Sequence, residues 1–440
     1  MSGQQDTDRP YWDERVETLG RDELLALQTE RLRWQVKRCY EESALYRSKL
    51  ESVGAEPGDL ASLQEVSGLP LVTKEELRAD QEAYPPFGSC TVAARLHWRE
   101  VHPSSGTTGR SINTIWSSRD VETISDFTAR TLWQLGVRPA DVVQNAFAYG
   151  LWVAGMSVHY AALRIGALVV PIGTAATTER QVEYLRRAQS TVLVATPSYA
   201  LHIAEHLRER GIDPGSLAVR LGCFGGEPGA ENPSTRMKIE SGLGIEARDY
   251  YGLAEVGPTF ASECLAKAGL HFAEDHVLVE CLDDETRQPV PEGDLGVLVF
   301  THLTREATPV LRYWSNDYAR LTRDRCACGR THVRAEGGIV GRGDDLVIFR
   351  GTKFYPSQVE RVVRAIPELS NEFVIRVRRE GGGALVGACI VVVEAAPGRG
   401  VEERLQRALR DELGVTPDVR LEPHGTLERT AFKARRVVEL

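Results

Sequence analysis

Apolar residues recur at three- and four-residue spacing from Glu14 to about Leu50, which predicts a helical lead-in. Thr73-Lys74-Glu75-Glu76 has the form in which a threonine and a glutamate three positions on satisfy each other's backbone donors, so a helix is expected to start there. After residue 140 the pattern changes. Short apolar runs at Val142–Phe147, Leu168–Ile172, Thr191–Ala195 and Val219–Phe224 predict strands, and the segments between them, 151–166, 178–188 and 197–210, carry helical periodicity. Strands alternating with helices imply parallel βαβ units, whose ligands sit beyond the carboxyl ends of the strands.

The last stretch reads differently. A helix at 357–366 precedes two strands, Glu372–Arg379 and Ala384–Glu394, joined through Gly381-Gly382-Gly383. A helix at 401–413 and a strand near 418–422 follow. The expected fold is therefore α/β: a large N-terminal domain over 1–341 with mostly parallel sheets and flanking helices, then a small α+β domain over 342–440. The joint falls in Gly341-Arg342-Gly343-Asp344-Asp345, where glycines and paired carboxylates mark an exposed, bendable segment. No internal repeat or low-complexity tract is visible.

Composition narrows the function without naming it. The 440 residues are 42% hydrophobic and 26% charged, as in a globular chain with a substantial core. A net charge of −9, with no local basic cluster, excludes nucleic acid as an expected partner. The N-terminal MSGQQDTDRP is polar and acidic rather than a secretory signal. Apolar stretches such as Ile165–Ile172 are far shorter than a membrane span. Eight scattered cysteines do not form the framework of a small secreted domain, so a cytoplasmic protein without membrane partners is expected.

The chemistry begins at Ser104-Ser105-Gly106-Thr107-Thr108-Gly109. Small hydroxylic residues and glycines form a loop whose N–H groups can turn onto phosphate oxygens, although the order is not that of a Walker loop. Alone, such a run is more often a plain surface loop. Its company changes that: Tyr251-Gly-Leu-Ala-Glu255, Asn316-Asp-Tyr-Ala-Arg-Leu321, the long run from Gly341 to Glu360, and Lys433 near the C-terminus. With these the chain resembles the phenylacetate–CoA ligase group of the adenylate-forming superfamily, from about residue 10 onward.

The resemblance implies roles position by position. Ser104 to Gly109 would cradle ATP, with Thr107 and Thr108 on the β- and γ-phosphates. Glu255 would hold the Mg²⁺ that bridges them, as suits a hard oxygen ligand. Gly226, Glu227 and Pro228, with Asp249, Tyr250, Tyr251 and Gly252, match the adenine-binding walls, and Tyr251 would stack on the base. Asp317 would accept both ribose hydroxyls, assisted by Arg342. Lys433 would stabilise the charge that builds as carboxylate and α-phosphate meet. Asp344 matches the hinge about which the small domain turns after adenylation, and Gly351 would then line the tunnel for the coenzyme A thiol. The resemblance also suggests dimers. Two departures stand out: Phe432 replaces the glycine usual before the lysine, and Arg110-Ser111 replaces the Lys-Pro usual after the phosphate loop.

Cys264, His271, Cys326 and Cys328 form the most plausible metal set, with His276 in reserve. By spacing alone, ordinary thiols are as good a reading. Relatives with a structural zinc at matching positions tip the balance toward structural Zn²⁺. Phe147-Ala148-Tyr149-Gly150 follows a predicted strand and in the family lines the acid pocket, with Phe224, Gly225 and Gly226 as the opposite wall and Ala254 a further substrate-binding residue; packing into the core is the plainer alternative. A small aryl acid, benzoate or phenylacetate with hydroxyl or amino substituents, is therefore expected to be activated as acyl-AMP and passed to CoA. An enzyme that acylates an amine or a carrier-protein thiol is the nearest rival. A non-catalytic nucleotide-binding regulator is remote, because Thr107, Glu255, Asp317 and Lys433 are all kept.

Overall fold

The helical lead-in is three helices, Glu14–Glu17, Arg21–Glu42 and Ala44–Ser52, in a computed structural model that describes residues 9–58, 62–104, 111–379, 384–395, 400–429 and 434–440. The long helix buries the stripe Leu24, Leu32, Val36 and Cys39. It ends where Ser43 turns extended and its hydroxyl accepts the N–H of Tyr46 (3.2 Å), starting the next helix. The expected capping box is present before helix Lys74–Ala83: Glu76 N donates to Thr73 Oγ1 (3.2 Å) and Thr73 N to Glu76 Oε2 (2.8 Å). No helix among the described residues is long and apolar enough to cross a membrane.

The chain gathers into two compact units: one of Met1–Gly173, Asp249–Ser315 and Ala319–Gly338, the other of Thr174–Arg248, Asn316–Tyr318 and Ile339–Leu440. In the first, strands Val142–Asn145 and Leu168–Val170 pair in parallel through helix Val153–Ile165, as the alternation predicted. An antiparallel hairpin, Trp98–Pro103 with Asn113–Ser117, brackets the Ser/Thr/Gly loop. Ser117 and Asp120 then cap helix Ser118–Leu135 reciprocally. Further along, antiparallel pairing joins Glu246–Leu253 to Gly257–Ser262, Gly257–Ser262 to Leu270–Phe272, and Val277–Leu282 to Leu295–His302.

In the second unit, Val192–Ala195 and Leu221–Phe224 pair in parallel through helix Pro197–Glu209. The C-terminal part has its own six-stranded sheet. Its order is Thr352–Phe354, Val347–Phe349, Leu385–Ala395, Leu369–Arg379, Val437–Glu439, with Asp418–Glu422 beside Leu385–Ala395. Helices Pro356–Ala365 and Val401–Leu413 contribute Val359, Val363, Leu405 and Leu409 to one core with Phe373, Ile375, Val391 and Val393. The glycine turn at 381–383 lies outside the described residues. The α/β class and the separate C-terminal sheet are as expected.

Candidate functional site

Glu255 sits in the turn between strands Glu246–Leu253 and Gly257–Ser262 and is 5% exposed. Its Oε1 lies 2.9 Å from Nζ of Lys74, the first residue of the capped helix. The sequence marked the cap but gave no sign of this pairing. Gly252 is required by close approach: a Cβ there would stand 2.0 Å from the Pro258 carbonyl oxygen. Asp249 N donates to Glu263 Oε2 (2.9 Å). The Tyr251 ring packs edge-on against Phe260 with centroids 5.4 Å apart and also meets Phe272 and Phe300. Tyr250 turns to the other side, its ring 6.4 Å from that of Phe147.

The segment Phe147–Gly150 is held by Asn145 at the end of its strand, a residue the sequence did not single out. Asn145 Nδ2 donates to Tyr149 Oη (2.9 Å) and to the Gly155 carbonyl (2.8 Å), and Phe147 N donates to Asn145 Oδ1 (3.2 Å). Burial pushes the Tyr149 phenol up to about 12, so it stays protonated and able to donate at neutral pH. Its Oη is 3.3 Å from His159 Nδ1. Gly173 lies under the ring; a Cβ there would be 3.3 Å from Tyr149 Cδ2. Ala254 offers its carbonyl to the Thr114 hydroxyl (3.4 Å).

In the second unit, Gly225 and Gly226 follow strand Leu221–Phe224, with Gly226 at φ +86°. Glu227 then places one carboxylate oxygen on Ser198 N (2.9 Å) and the other on Ala434 N (2.8 Å). Asp317 is buried, and its Oδ1 accepts from Arg342 Nη1 at 3.0 Å. Arg342 Nη2 reaches Asp344 (3.2 Å), which also accepts from Asn316 Nδ2 (3.2 Å). The structure thus brings together the residues expected at the ribose and at the hinge. Arg350 (φ +52°) and Gly351 (φ +80°) form a two-residue turn between strands Val347–Phe349 and Thr352–Phe354, the positive φ pair that a tight hairpin demands. Ser104 is joined to Ile112: its N donates to the Ile112 carbonyl (2.7 Å) and its hydroxyl accepts Ile112 N (3.0 Å). Ser105, Gly106, Thr107, Thr108, Gly109, Phe432 and Lys433 lie outside the described residues.

Cys264, His271, Cys326 and Cys328 converge, with all four ligand atoms within 4.8 Å of one another. Cys264 Sγ is 3.7 Å from Cys326 Sγ, and Cys328 Sγ is 3.5 Å from His271 Nε2. A tetrahedral zinc with ordinary bond lengths needs roughly 3.8 Å between sulfurs and roughly 3.6 Å from sulfur to nitrogen, so the residues fit that ion. A hydrogen bond from Cys264 holds the Cys328 thiol well below its ordinary value and raises Cys264 correspondingly, while His271 draws Cys326 down. Residues 10–17 pack over this knuckle. Tyr11 Oη donates to the Cys328 carbonyl (3.0 Å), Arg330 Nε donates to buried Glu17 (2.6 Å), and His332 Nε2 contacts the Val16 carbonyl (3.1 Å). Gly329, at φ +85°, leaves room for the Tyr11 hydroxyl, which would stand 2.2 Å from a Cβ. His276 stands apart, its Nε2 on Asp275 and its Nδ1 on Thr304 (2.9 Å).

Comparison with known proteins shows the family. Family models described as "AMP-binding enzyme" and "AMP-binding enzyme C-terminal domain" match residues 101–303 and 351–440. The chain is 39% identical to a phenylacetate–coenzyme A ligase of Thermus thermophilus, covering 97% of this chain and 98% of that one. It is 36% identical to the Pseudomonas putida enzyme of the same name, covering 100% and 99%. The crystal structure of a 2-hydroxyisobutyryl-CoA ligase in its postadenylation state with an acyl-AMP matches at a TM-score of 0.93, 30% identity, 99% of this chain and 93% of that one. Full-length identity and fold together place the chain in the phenylacetate–coenzyme A ligase family of adenylate-forming enzymes, as an AMP-forming acid–CoA ligase that works through an acyl-AMP.

Proposed function

We propose that the acid is a small aromatic one, of benzoate or phenylacetate type with hydroxyl or amino groups tolerated on the ring. The observation that carries this is the likeness along the whole chain to two phenylacetate–coenzyme A ligases. The aromatic faces of Phe147, Tyr149 and Tyr250 support it, with Tyr149 offering a phenol that donates at neutral pH. Gly150 leaves open space where a side chain would stand. Gly225 and Gly226 belong to the same proposal as acid-binding residues, on the resemblance alone.

In this reading Thr107 and Thr108 bind phosphates, Glu255 ligates Mg²⁺, Asp317 with Arg342 binds the ribose, and Lys433 stabilises the developing charge of adenylation. The ion pair between Lys74 and Glu255 supplies a second cation beside the metal-binding carboxylate. Functionally the chain divides into 1–341 and a lid of 342–440 turning near Asp344, with Gly351 meeting CoA; the C-terminal family model, which begins at 351, supports this division. Cys264, His271, Cys326 and Cys328 would hold structural zinc, since all four tetrahedral positions are protein ligands. A cytoplasmic homodimer belongs to the same proposal, on the resemblance alone.

AMP release, measured with aryl acids, 2-hydroxyisobutyrate and long-chain acids, each with and without CoA, tests it. Release that needs both one aryl acid and CoA is expected. Turnover confined to aliphatic acids would overturn the aromatic assignment, and acylation of an amine or carrier thiol in place of CoA would overturn the acceptor.

A further inference from the structure

The turn that carries Glu255 is tied down on both flanks. Val256 N donates to the Leu253 carbonyl (3.2 Å), so residues 253–256 make one tight turn with Glu255 in its third position. Before Glu255, the Ala254 carbonyl accepts the Thr114 hydroxyl from strand Asn113–Ser117. After it, the Val256 carbonyl takes two donors, Arg305 Nη2 at 2.7 Å and His302 Nε2. The direction of the second bond is fixed. Val310 N donates to His302 Nδ1 (2.9 Å), which leaves the ring proton on Nε2, against the Val256 oxygen. Burial, reinforced by Arg305, keeps that imidazole neutral at ordinary pH. Both lone pairs of the Val256 carbonyl are therefore filled.

Arg305 is the costly member of this arrangement. It is 4% exposed, its Nη1 is buried without a partner, and no carboxylate forms an ion pair with it among the described residues. An apolar side chain of similar length would avoid the expense of burying that charge. The chain nevertheless builds a seat for it. Asp120, which caps helix Ser118–Leu135, accepts Glu306 N (2.7 Å) and Ala307 N (2.8 Å) and so fixes the backbone directly after Arg305. The same carboxylate favours the guanidinium's charge against the pull of burial.

We infer that Arg305 is a positioning residue for adenylation: it holds the Val256 carbonyl, and through it the turn, so that the Glu255 carboxylate meets the divalent cation brought by the nucleotide. The inference rests on the reading of Glu255 as the Mg²⁺ ligand. The residue suits that ion, being a buried hard-oxygen donor on a turn anchored at both flanks. Mg²⁺ demands near-ideal octahedral geometry, so a loosened turn is felt first as weaker metal binding rather than as lost nucleotide contacts. Arg305 itself touches neither.

The test uses the full chain as wild type, R305M, R305K and E255Q. Mn²⁺ binding is read by electron paramagnetic resonance in the presence of α,β-methylene-ATP, which cannot release pyrophosphate. The Mg²⁺ dependence of pyrophosphate exchange is read beside it, and denaturant unfolding shows which variants are folded. R305M is expected to weaken Mn²⁺ binding roughly tenfold, the scale of one charge-assisted hydrogen bond. Its half-maximal Mg²⁺ concentration should rise by a similar factor, and saturating Mg²⁺ should recover much of the exchange rate. R305K, which keeps the charge and a donor but not the planar fork, should fall between R305M and wild type. A folded R305M that binds Mn²⁺ as wild type does would overturn the inference, whatever stability it has lost. Should R305M not fold, R305K decides alone, and wild-type Mn²⁺ binding in R305K overturns it equally. E255Q separates the two levels. If it changes neither Mn²⁺ binding nor the Mg²⁺ dependence, the reading of Glu255 fails. If it weakens both while folded R305M weakens neither, only the role of Arg305 fails.

Discussion

His276, kept in reserve as a metal ligand by the sequence, has instead an electrostatic role in the core. Burial pushes its imidazole down to about 4, outweighing the attraction of Asp275 and reinforced by Arg130 and Arg31. Asp275 is the converse: burial opposes its charge, but Arg130, His276 and His332 outweigh that and hold it below the carboxylate range. In the unfolded chain a histidine titrates near 6.5. Below that pH the unfolded state takes up a proton that folded His276 refuses. The stability it permits is whole above about 6.5 and falls as pH drops toward 4, by up to roughly 3 kcal/mol. Urea unfolding from pH 7.5 down to pH 4 should show this decline, and H276Q should flatten it. An unchanged slope in H276Q would place the acid lability at other groups, His302 among them. At this scale the sequence revealed residue types but not pairings: Lys74 and Glu227 meet their partners across long stretches of chain, and Glu227 does so through backbone N–H groups that no side-chain pattern records.

Elements that announce themselves by period or punctuation were legible, and the others were not. The parallel strands around Val142 and Val192 stood out because helical segments separate them. The strand Leu295–His302 is buried along almost its whole length, so it lacks the alternation that marks a half-exposed strand, and the antiparallel pairs near it went unread. Glycine positions separate two kinds of turn. At Gly351 a Cβ meets open space, so G351A should lose only the left-handed preference, about 1–2 kcal/mol. At Gly252 a Cβ meets the Pro258 carbonyl at 2.0 Å, so G252A must deform the hairpin that carries Glu255. Denaturant midpoints should therefore fall much further for G252A than for G351A, with adenylation impaired in G252A. Equal shifts would mean that the hairpin relaxes freely.

Taken as one molecule, the chain's enzyme class was legible from short motifs, although most of the Ser/Thr/Gly run and Lys433 lie outside the described residues. The cluster of Cys264, His271, Cys326 and Cys328 was named in full from the sequence, where the resemblance and not the spacing singled it out, and folding brings the four ligand atoms together. About one equivalent of zinc is expected in purified protein, and C326S or C328S should lose most of it and melt earlier; less than half an equivalent in the wild type would count against the site. The packing of residues 10–17 over the knuckle adds a kinetic dimension. Tyr11 caps the Cys328 carbonyl and Glu17 is locked to Arg330, so in the proposed zinc form a chelator would reach buried Cys264 and Cys326 only after this segment peels away. Metal loss should then plateau as chelator concentration rises, at a ceiling set by the opening rate of the segment, and Y11F should raise that ceiling. The ion's lifetime in the protein would be decided by a stretch of chain that never touches it.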